Sequence, residues 1–431
     1  MRRRTTVSLG LALALALPAL IGAGTVHAAS PSTGALVGLW PGNNLSTADS
    51  SAWGSVVPGQ YGVTPSGALS YITDMNRWQG KANTIVNFYD SVDPNAFKTW
   101  APQIWDNDHA IPMISMNTGN WTYAQVISGS QDQSILQFGQ AAAAWINGAD
   151  VYGAAPPPGG RRLYIRLDWE ANANWYQWSP ATNSTDCATL LTAEHQFAQM
   201  WQHVRTVTMS AGLTSAQVSW VYSVYSVDYD PALGIGPNLT NTCSNGAQDI
   251  TRNMYPGDAY VDWTGIDGYN SCAWVPQTPA QIFSPMVTEL RSFSTRPISV
   301  DEVGDATQTT QNTPCATAAA KGQWIGDYMS YLQTSGIRMS LWFNDDISLS
   351  QDWALFSQSG PQDLASRGDC TDTSGAIIYN AYCEYQQGLS SSYFATPDPT
   401  DPRVVSDAEF QGTYLPAHHL AAPASFVDAV R

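Results

Sequence analysis

The sequence predicts one large α/β domain, a (β/α)8 TIM barrel of parallel strands wrapped by helices. Three observations predict it. Eight short β-branched or aromatic runs alternate with helix-like stretches, the rhythm of successive βα units. The chain of 431 residues is longer than an ordinary single domain but normal for such a barrel with long loops. Two of the eight runs end on a carboxylate, at the end of a strand where barrels of this class carry their chemistry.

The elements follow in order. Residues 1–28 open on Met1-Arg-Arg-Arg4, pass through an Ala/Leu-rich apolar stretch and reach Val26-His27-Ala28, where small residues suit a signal peptidase. They are expected to be a secretory signal peptide rather than an anchor, because the apolar part is short and Pro18 interrupts it. The barrel is expected over 29–388. Its strands are read at Ala35–Trp40, Thr84–Tyr89, Ile111–Met116, Arg162–Glu170, Val218–Val224, Val261–Tyr269, Pro297–Val303 and Arg338–Asn344. Between them, Ser134–Asn147 and Thr192–Ser210 return an apolar residue every three or four positions, as on a helix face packed against a sheet. Gly153–Gly160, with three prolines, and Ala181–Thr189 read as loop decorations. After Tyr385 the chain turns Ser-rich and then Pro-rich, so 389–431 reads as a linker-like extension.

Composition narrows the partners. The formal charge is −17, which disfavours nucleic acid and polyanionic substrates and leaves neutral polysaccharide open. Charged residues are only 12% of the chain, whereas aromatics reach 11% with 17 Trp and 20 Tyr, flat amphipathic rings suited both to sugar faces and to a large core. Six cysteines in an exported chain favour disulfides, and the short closure Cys370–Cys383 and the barrel-top closure Cys272–Cys315 are the expected pairs. With no C-x-x-C and scattered histidines, a metal site is not expected. A secreted, extracellular monomer with no membrane contact after leader removal is the expectation.

The chemistry-bearing residues are concentrated in two places. Strand four ends Arg166-Leu-Asp-Trp-Glu170 and enters a loop with Trp175-Tyr-Gln-Trp178. Strand seven ends Asp301-Glu302 and turns through Val303-Gly304. Glycoside hydrolysis uses two carboxyl groups, and a separation of about 5–5.5 Å makes one of them a nucleophile. Strand alternation points Arg166 and Glu170 the same way, into the barrel, where an arginine needs carboxylate partners. Asp168 and Asp267 read as structural hydrogen-bond acceptors. Tyr269 is placed to donate to Glu302, with a barrel-lining role as the alternative. Trp175, Trp178 and Trp342 are candidate sugar platforms, with core packing as the competing role; Tyr225, Trp274 and Asn344 are weaker candidates at other strand ends.

These residues, together with Tyr255-Pro-Gly-Asp-Ala-Tyr-Val-Asp-Trp-Thr-Gly-Ile-Asp-Gly-Tyr269, Lys321-Gly-Gln-Trp324-Ile325 and Asp352-Trp353, resemble glycoside hydrolase family 26 over about residues 35–385. The resemblance implies a retaining β-glycanase with Glu170 as acid/base and Glu302 as nucleophile, working without cofactor. It also implies β-1,4-mannan as leading substrate, mixed-linkage β-glucan or β-1,3-xylan being the alternatives. One position departs: the family's histidine before the acid/base is Trp169 here, which leaves open a carbohydrate-binding barrel without turnover.

Overall fold

The computed structural model describes residues 34–42, 71–106, 108–184, 186–228, 246–247, 249–307, 315–345, 351–357, 368–395, 401 and 403–413. Eight parallel strands form one closed barrel: β1 Leu36–Trp40, β2 Ile85–Ser91, β3 Ile111–Asn117, β4 Leu163–Leu167, β5 Val218–Tyr225, β6 Trp263–Asn270, β7 Ile298–Asp305 and β8 Met339–Phe343. Each pairs with its sequence neighbour, and β1 closes on β8 with Gly38 opposite Leu341. All eight expected runs are strands. They were legible because a barrel strand is buried on both faces and reads as a continuous apolar run; β1, β4, β5 and β8 are buried at every position.

The helices are α1 Tyr71–Gln79, α2 Trp100–Asp106, α3 Tyr123–Ile127, α4 Asp132–Asn147, α5 Cys187–Met209, α6 Ile250–Asn253, α7 Pro279–Phe293, α8 Ala318–Ser335, α9 Cys383–Leu389 and α10 Asp407–Phe410. Local sequence sets several of their starts. Thr122 and Thr278 begin α3 and α7 with capping boxes to Gln125 and Gln281, satisfying amides that no helical carbonyl can reach. Asp186 caps α5 through Ala188 N and Thr189 N. Gly336 ends α8 in the left-handed region at φ 76°, the conformation glycine adopts most cheaply. Apolar faces of α4 (Ile135, Phe138, Ala142, Ile146) and α5 (Phe197, Met200, Trp201, Val204) are buried.

The stretch read as a linker does not stop packing at 388. Phe394 bridges to Ala35, and Phe410 is fully buried against Tyr164, whose hydroxyl donates to the Phe410 carbonyl. Phe394 and Phe410 thus anchor described parts of this stretch to the barrel as single apolar residues, which a Ser/Pro-rich composition conceals. A three-stranded antiparallel sheet, β9 Phe356–Ser357, β10 Asp369–Thr371 and β11 Ile378–Ala381, lies after β8. Cys272–Cys315 and Cys370–Cys383 are both disulfides, as expected from spacing. Cys187 is also disulfide-bonded, whereas Cys243 and the expected leader at 1–28 lie outside the described residues. No helix among the described residues is long and apolar enough to cross a membrane.

Candidate active site

Two backbone irregularities deliver the carboxylates. β4 ends at Leu167, three residues before Glu170, so strand alternation does not carry that side chain. Asp168 and Glu170 instead adopt left-handed conformations, φ 46° and 52°, which cost side-chain-bearing residues energy unless the surroundings fix them. The surroundings do fix them. Asp168 accepts from the Thr118 amide and hydroxyl, both at 2.8 Å, and the Glu170 amide donates to the Ser223 carbonyl at 3.0 Å. On the opposite side of the mouth the register between β6 and β7 slips, pairing Ile266 with Val300 but Asp267 with Glu302. This bulge at Asp301 lets two consecutive carboxylates face Arg166, an arrangement that regular alternation forbids.

Arg166 is the hub. Fully buried, it donates to Glu302 Oε1 at 2.7 Å, to Asp267 and to the Ser115 hydroxyl, and its Nε lies 3.9 Å from Asp301 Oδ2. Burial opposes its charge, but Asp267, Glu302, Tyr89 and Asp301 together outweigh that and hold the guanidinium firmly protonated. Glu302 receives two further donors: Tyr89 to Oε1 at 2.5 Å and Tyr269 to Oε2. Three donors thus converge on one carboxylate and fix its orientation.

Glu170 sits in the opposite environment. Among the described residues its carboxyl has one hydrogen bond, from Trp175 Nε1 to Oε2 at 2.8 Å. Burial, followed by the negative charge of Glu302, pushes its pKa up to about 8, with Arg166 and the Trp175 bond pulling the other way. Oxygens of Glu170, Asp267 and Glu302 lie within 4.8 Å of one another. A cation held by this trio would sit against Arg166, which already balances two of its members, so the arrangement fits paired acids better than a metal centre.

An aromatic collar surrounds the pair. Trp169 donates from Nε1 to the Tyr176 hydroxyl at 3.1 Å, and its ring lies 5.6 Å from the Arg166 guanidinium and 5.1 Å from Tyr89. Its indole therefore packs on the hub. Trp175 is 43% exposed at the mouth, its ring edge-on to Tyr225 at 5.1 Å. On the far side Trp40, Phe343 and Trp353 pack with Tyr269.

The expected residues Glu170, Glu302, Arg166, Tyr269 and Trp175 come together at this mouth, while two tryptophans require correction. Trp342 is 1% exposed, packs against Trp324, Tyr328 and Tyr385, and donates to the Trp353 carbonyl. It points outward to α8 and α9, so no face remains for a sugar, and its neighbour Phe343 points to the mouth instead. Trp178 is buried at 8% exposure, stacked on Tyr176 at 4.3 Å, with Nε1 bonded to the Trp169 carbonyl. It props the collar from behind. Asn344 is likewise buried, accepting from the Leu355 amide. Tyr89, Asp301 and Phe343 were missed as candidates. Tyr89 had a signal, a tyrosine at the end of a predicted strand like Tyr269.

No protein-family model matches the chain. It is 25% identical over 314 residues to Endoglucanase H of Acetivibrio thermocellus, a match covering 71% of this chain and 29% of that protein. The chain thus spans under a third of the length of that curated relative. Among solved structures, the catalytic domain of a Bacillus family 26 endo-β-1,4-mannanase superposes with TM-score 0.51 at 12% identity, covering 84% of this chain and 87% of that one. A family 26 β-mannanase from Bacteroides ovatus gives 0.50 at 13%, covering 90% and 95%. The chain has the fold of the family 26 β-mannanases. A Cellulomonas fimi endo-β-1,4-mannanase double mutant agrees, at TM-score 0.50 and 15% identity over 88% of this chain and 74% of that one. The resemblance read from Arg166–Glu170 and Asp301–Gly304 thus extends to the three-dimensional fold.

Proposed function

We propose that this chain is a secreted, monomeric, retaining glycoside hydrolase of family 26 acting on a neutral β-linked polysaccharide, with β-1,4-mannan as its substrate. The observation that carries the reading is the pairing of two close carboxyls in opposite environments. Glu302, with three donors, is the nucleophile, and Glu170, pushed up to about 8, is the acid/base. Oxygen atoms within 4.8 Å belong to the short class of separations, which leaves no room for a water between carboxylate and sugar.

In the first step the Glu302 carboxylate bonds to the anomeric carbon while the glycosidic C–O bond breaks, and Glu170 gives its proton to the departing oxygen. Glu302 is then neutralised as an ester. The Glu302 charge, which adds to burial in raising the Glu170 pKa, disappears, so Glu170 ionises more readily and is suited to take a proton from water in the second step. Water attacks the same carbon, the ester bond breaks, and configuration is retained. Arg166, Tyr89 and Tyr269 orient Glu302 throughout, while Trp175 fixes Glu170 and offers an exposed ring to the sugar. The fold of the named mannanases and the similarity to an endoglucanase support a glycan substrate.

The test is direct. The mature protein is incubated with mannan, mixed-linkage β-glucan and β-1,3-xylan, and the released oligosaccharides are identified. Mannan fragments of retained configuration are expected. Glu302→Ala should lose several orders of magnitude in turnover, with azide restoring cleavage to inverted product. Glu170→Ala should cripple polysaccharide cleavage yet give a burst of dinitrophenol from an activated glycoside. Binding of glycans without cleavage of any would assign the site to a carbohydrate-binding barrel and overturn the proposal.

A further inference from the structure

A second cavity lies beside the mouth, between the loop after β3, the loop after β4 and the start of α5. Its volume is about 580 Å³, and its walls include Asn120, Trp121, Gln177, Ser179 and Gln196. None of its described lining residues is an Asp, Glu, Lys, Arg or His. In a chain whose formal charge is −17, an uncharged cavity of amides, hydroxyls and one half-buried indole is chemically distinctive. Its hydroxyls are partly committed: Thr182 donates to the Tyr176 carbonyl and Ser184 to the Pro180 carbonyl. Ser179 is not. It is 1% exposed, lines the cavity, and its buried hydroxyl has no partner among the described residues. A buried hydroxyl left unbonded is unfavourable, and a ligand hydroxyl would satisfy it.

The cavity is separate from the mouth. The stacked pair Tyr176 and Trp178 stands between it and Trp169, and Tyr123 ties that wall by donating to the Trp178 carbonyl at 2.6 Å. The two sites therefore share one loop, Trp175 serving Glu170 on one side and Gln177 and Ser179 facing the cavity on the other.

We infer that this cavity is a second binding site for a neutral oligosaccharide, in which Trp121 stacks on a sugar ring and Ser179, Gln177 and Gln196 bond its hydroxyls. The choice of ligand class rests on the glycan reading above, but binding here requires no turnover. Apolar ring faces and many uncharged hydroxyls are what an indole flanked by amides recognises, whereas phosphate or uronate would find no cation.

The test uses the full chain carrying Glu302→Ala, labelled with 5-fluorotryptophan, with the Trp121 and Trp175 resonances assigned by Trp121→Phe and Trp175→Phe. Mannohexaose and cellohexaose are titrated in turn, with an oligogalacturonide as the charged control. At least one neutral hexasaccharide should shift the Trp121 resonance saturably, with a midpoint distinct from that of Trp175. Gln196→Ala should raise the Trp121 midpoint about fivefold and leave that of Trp175 in place. A Trp121 resonance unmoved by both neutral sugars, a midpoint identical to that of Trp175 and insensitive to Gln196→Ala, or equal response to the oligogalacturonide would each overturn the inference. If no polysaccharide is cleaved while the Trp121 isotherm persists, the catalytic reading falls and this one stands; cleavage with a silent Trp121 separates them the other way.

Discussion

Glu170→Gln should stabilise the protein against unfolding, and by an amount that grows with pH. The side chain is buried at 5% exposure, and its pKa rises from 4.5 to about 8 because burial and the Glu302 charge both penalise ionisation. The folded chain therefore keeps a proton that the unfolded chain has already released, and the sign follows from that difference. Stability is unaffected below the unfolded pKa, declines as pH rises through the interval up to the folded pKa, and levels above it. At 1.36 kcal/mol per pH unit, the full interval corresponds to roughly 5 kcal/mol and a measurement near pH 6 to roughly 2 kcal/mol. Glutamine is isosteric, keeps an acceptor for Trp175 Nε1 and carries no ionisable proton. Urea unfolding of parent and variant from about pH 5 to about pH 9 should show curves that diverge as pH rises, with the variant the more stable. Asp168, whose pKa burial pushes up to about 7, is present in both proteins and cancels in the difference. Curves that remain parallel across the range would refute the environment assigned to Glu170. A variant both more stable and inactive on polysaccharide would show that the proton is held for chemistry at the expense of stability.

Tyr89→Phe and Tyr269→Phe each remove one hydrogen bond to the Glu302 carboxylate, an interaction worth about 1.5–3 kcal/mol, so each should lower kcat/KM by roughly ten- to a hundredfold with the melting temperature little changed. Equal activity of Tyr89→Phe and parent would remove Tyr89 from the site. Trp342→Leu should destabilise the barrel by about 3 kcal/mol, as large-to-small core changes do, without a selective rise in KM for glycans; a KM effect alone would restore it as a sugar platform. Reduction of Cys370–Cys383 and Cys272–Cys315, which close 13 and 43 residues, should cost about 3 and about 4 kcal/mol on the loop-entropy model, read as a fall in the urea midpoint. An intact mass under denaturing conditions that shows six free thiols would contradict both bridges.

The barrel was legible in the sequence because its strands are buried on both faces and its helices on one, so apolar runs and three-to-four spacing mark them without reference to tertiary context. The side on which a strand residue emerges was less legible. Trp342 and Phe343 are adjacent aromatics near the end of one run, and only closure of β8 on β1 decides that Phe343 meets Trp40 while Trp342 meets Tyr328. A one-residue change of register would exchange their roles. Tyr89 was legible in principle, since its strand was found, but its partner Glu302 lies 213 residues away and local pattern holds no trace of that distance. The packing of Phe410 against Tyr164 escaped for the same reason: single anchors in a polar segment have no period.

The features that make the mouth chemically competent are those in which the backbone leaves its regular course. Uninterrupted alternation along β7 would turn Glu302 away from the side that Asp301 faces, and uninterrupted extension of β4 would leave Glu170 without the turn that lays it beside Trp175. The bulge and the two left-handed residues cost energy, and neither is written in residue type, for Asp and Glu are not glycine. What holds them is written in residue type, although only in combination. Arg166 draws Asp267, Asp301 and Glu302 to one point, and Thr118 pins Asp168. Burying that much charge is tolerable only when the members neutralise one another, so the strain at the strand ends and the charge balance beneath them are one construction. Removing Arg166 would leave carboxyls without their cation and the irregular strand ends without their tether.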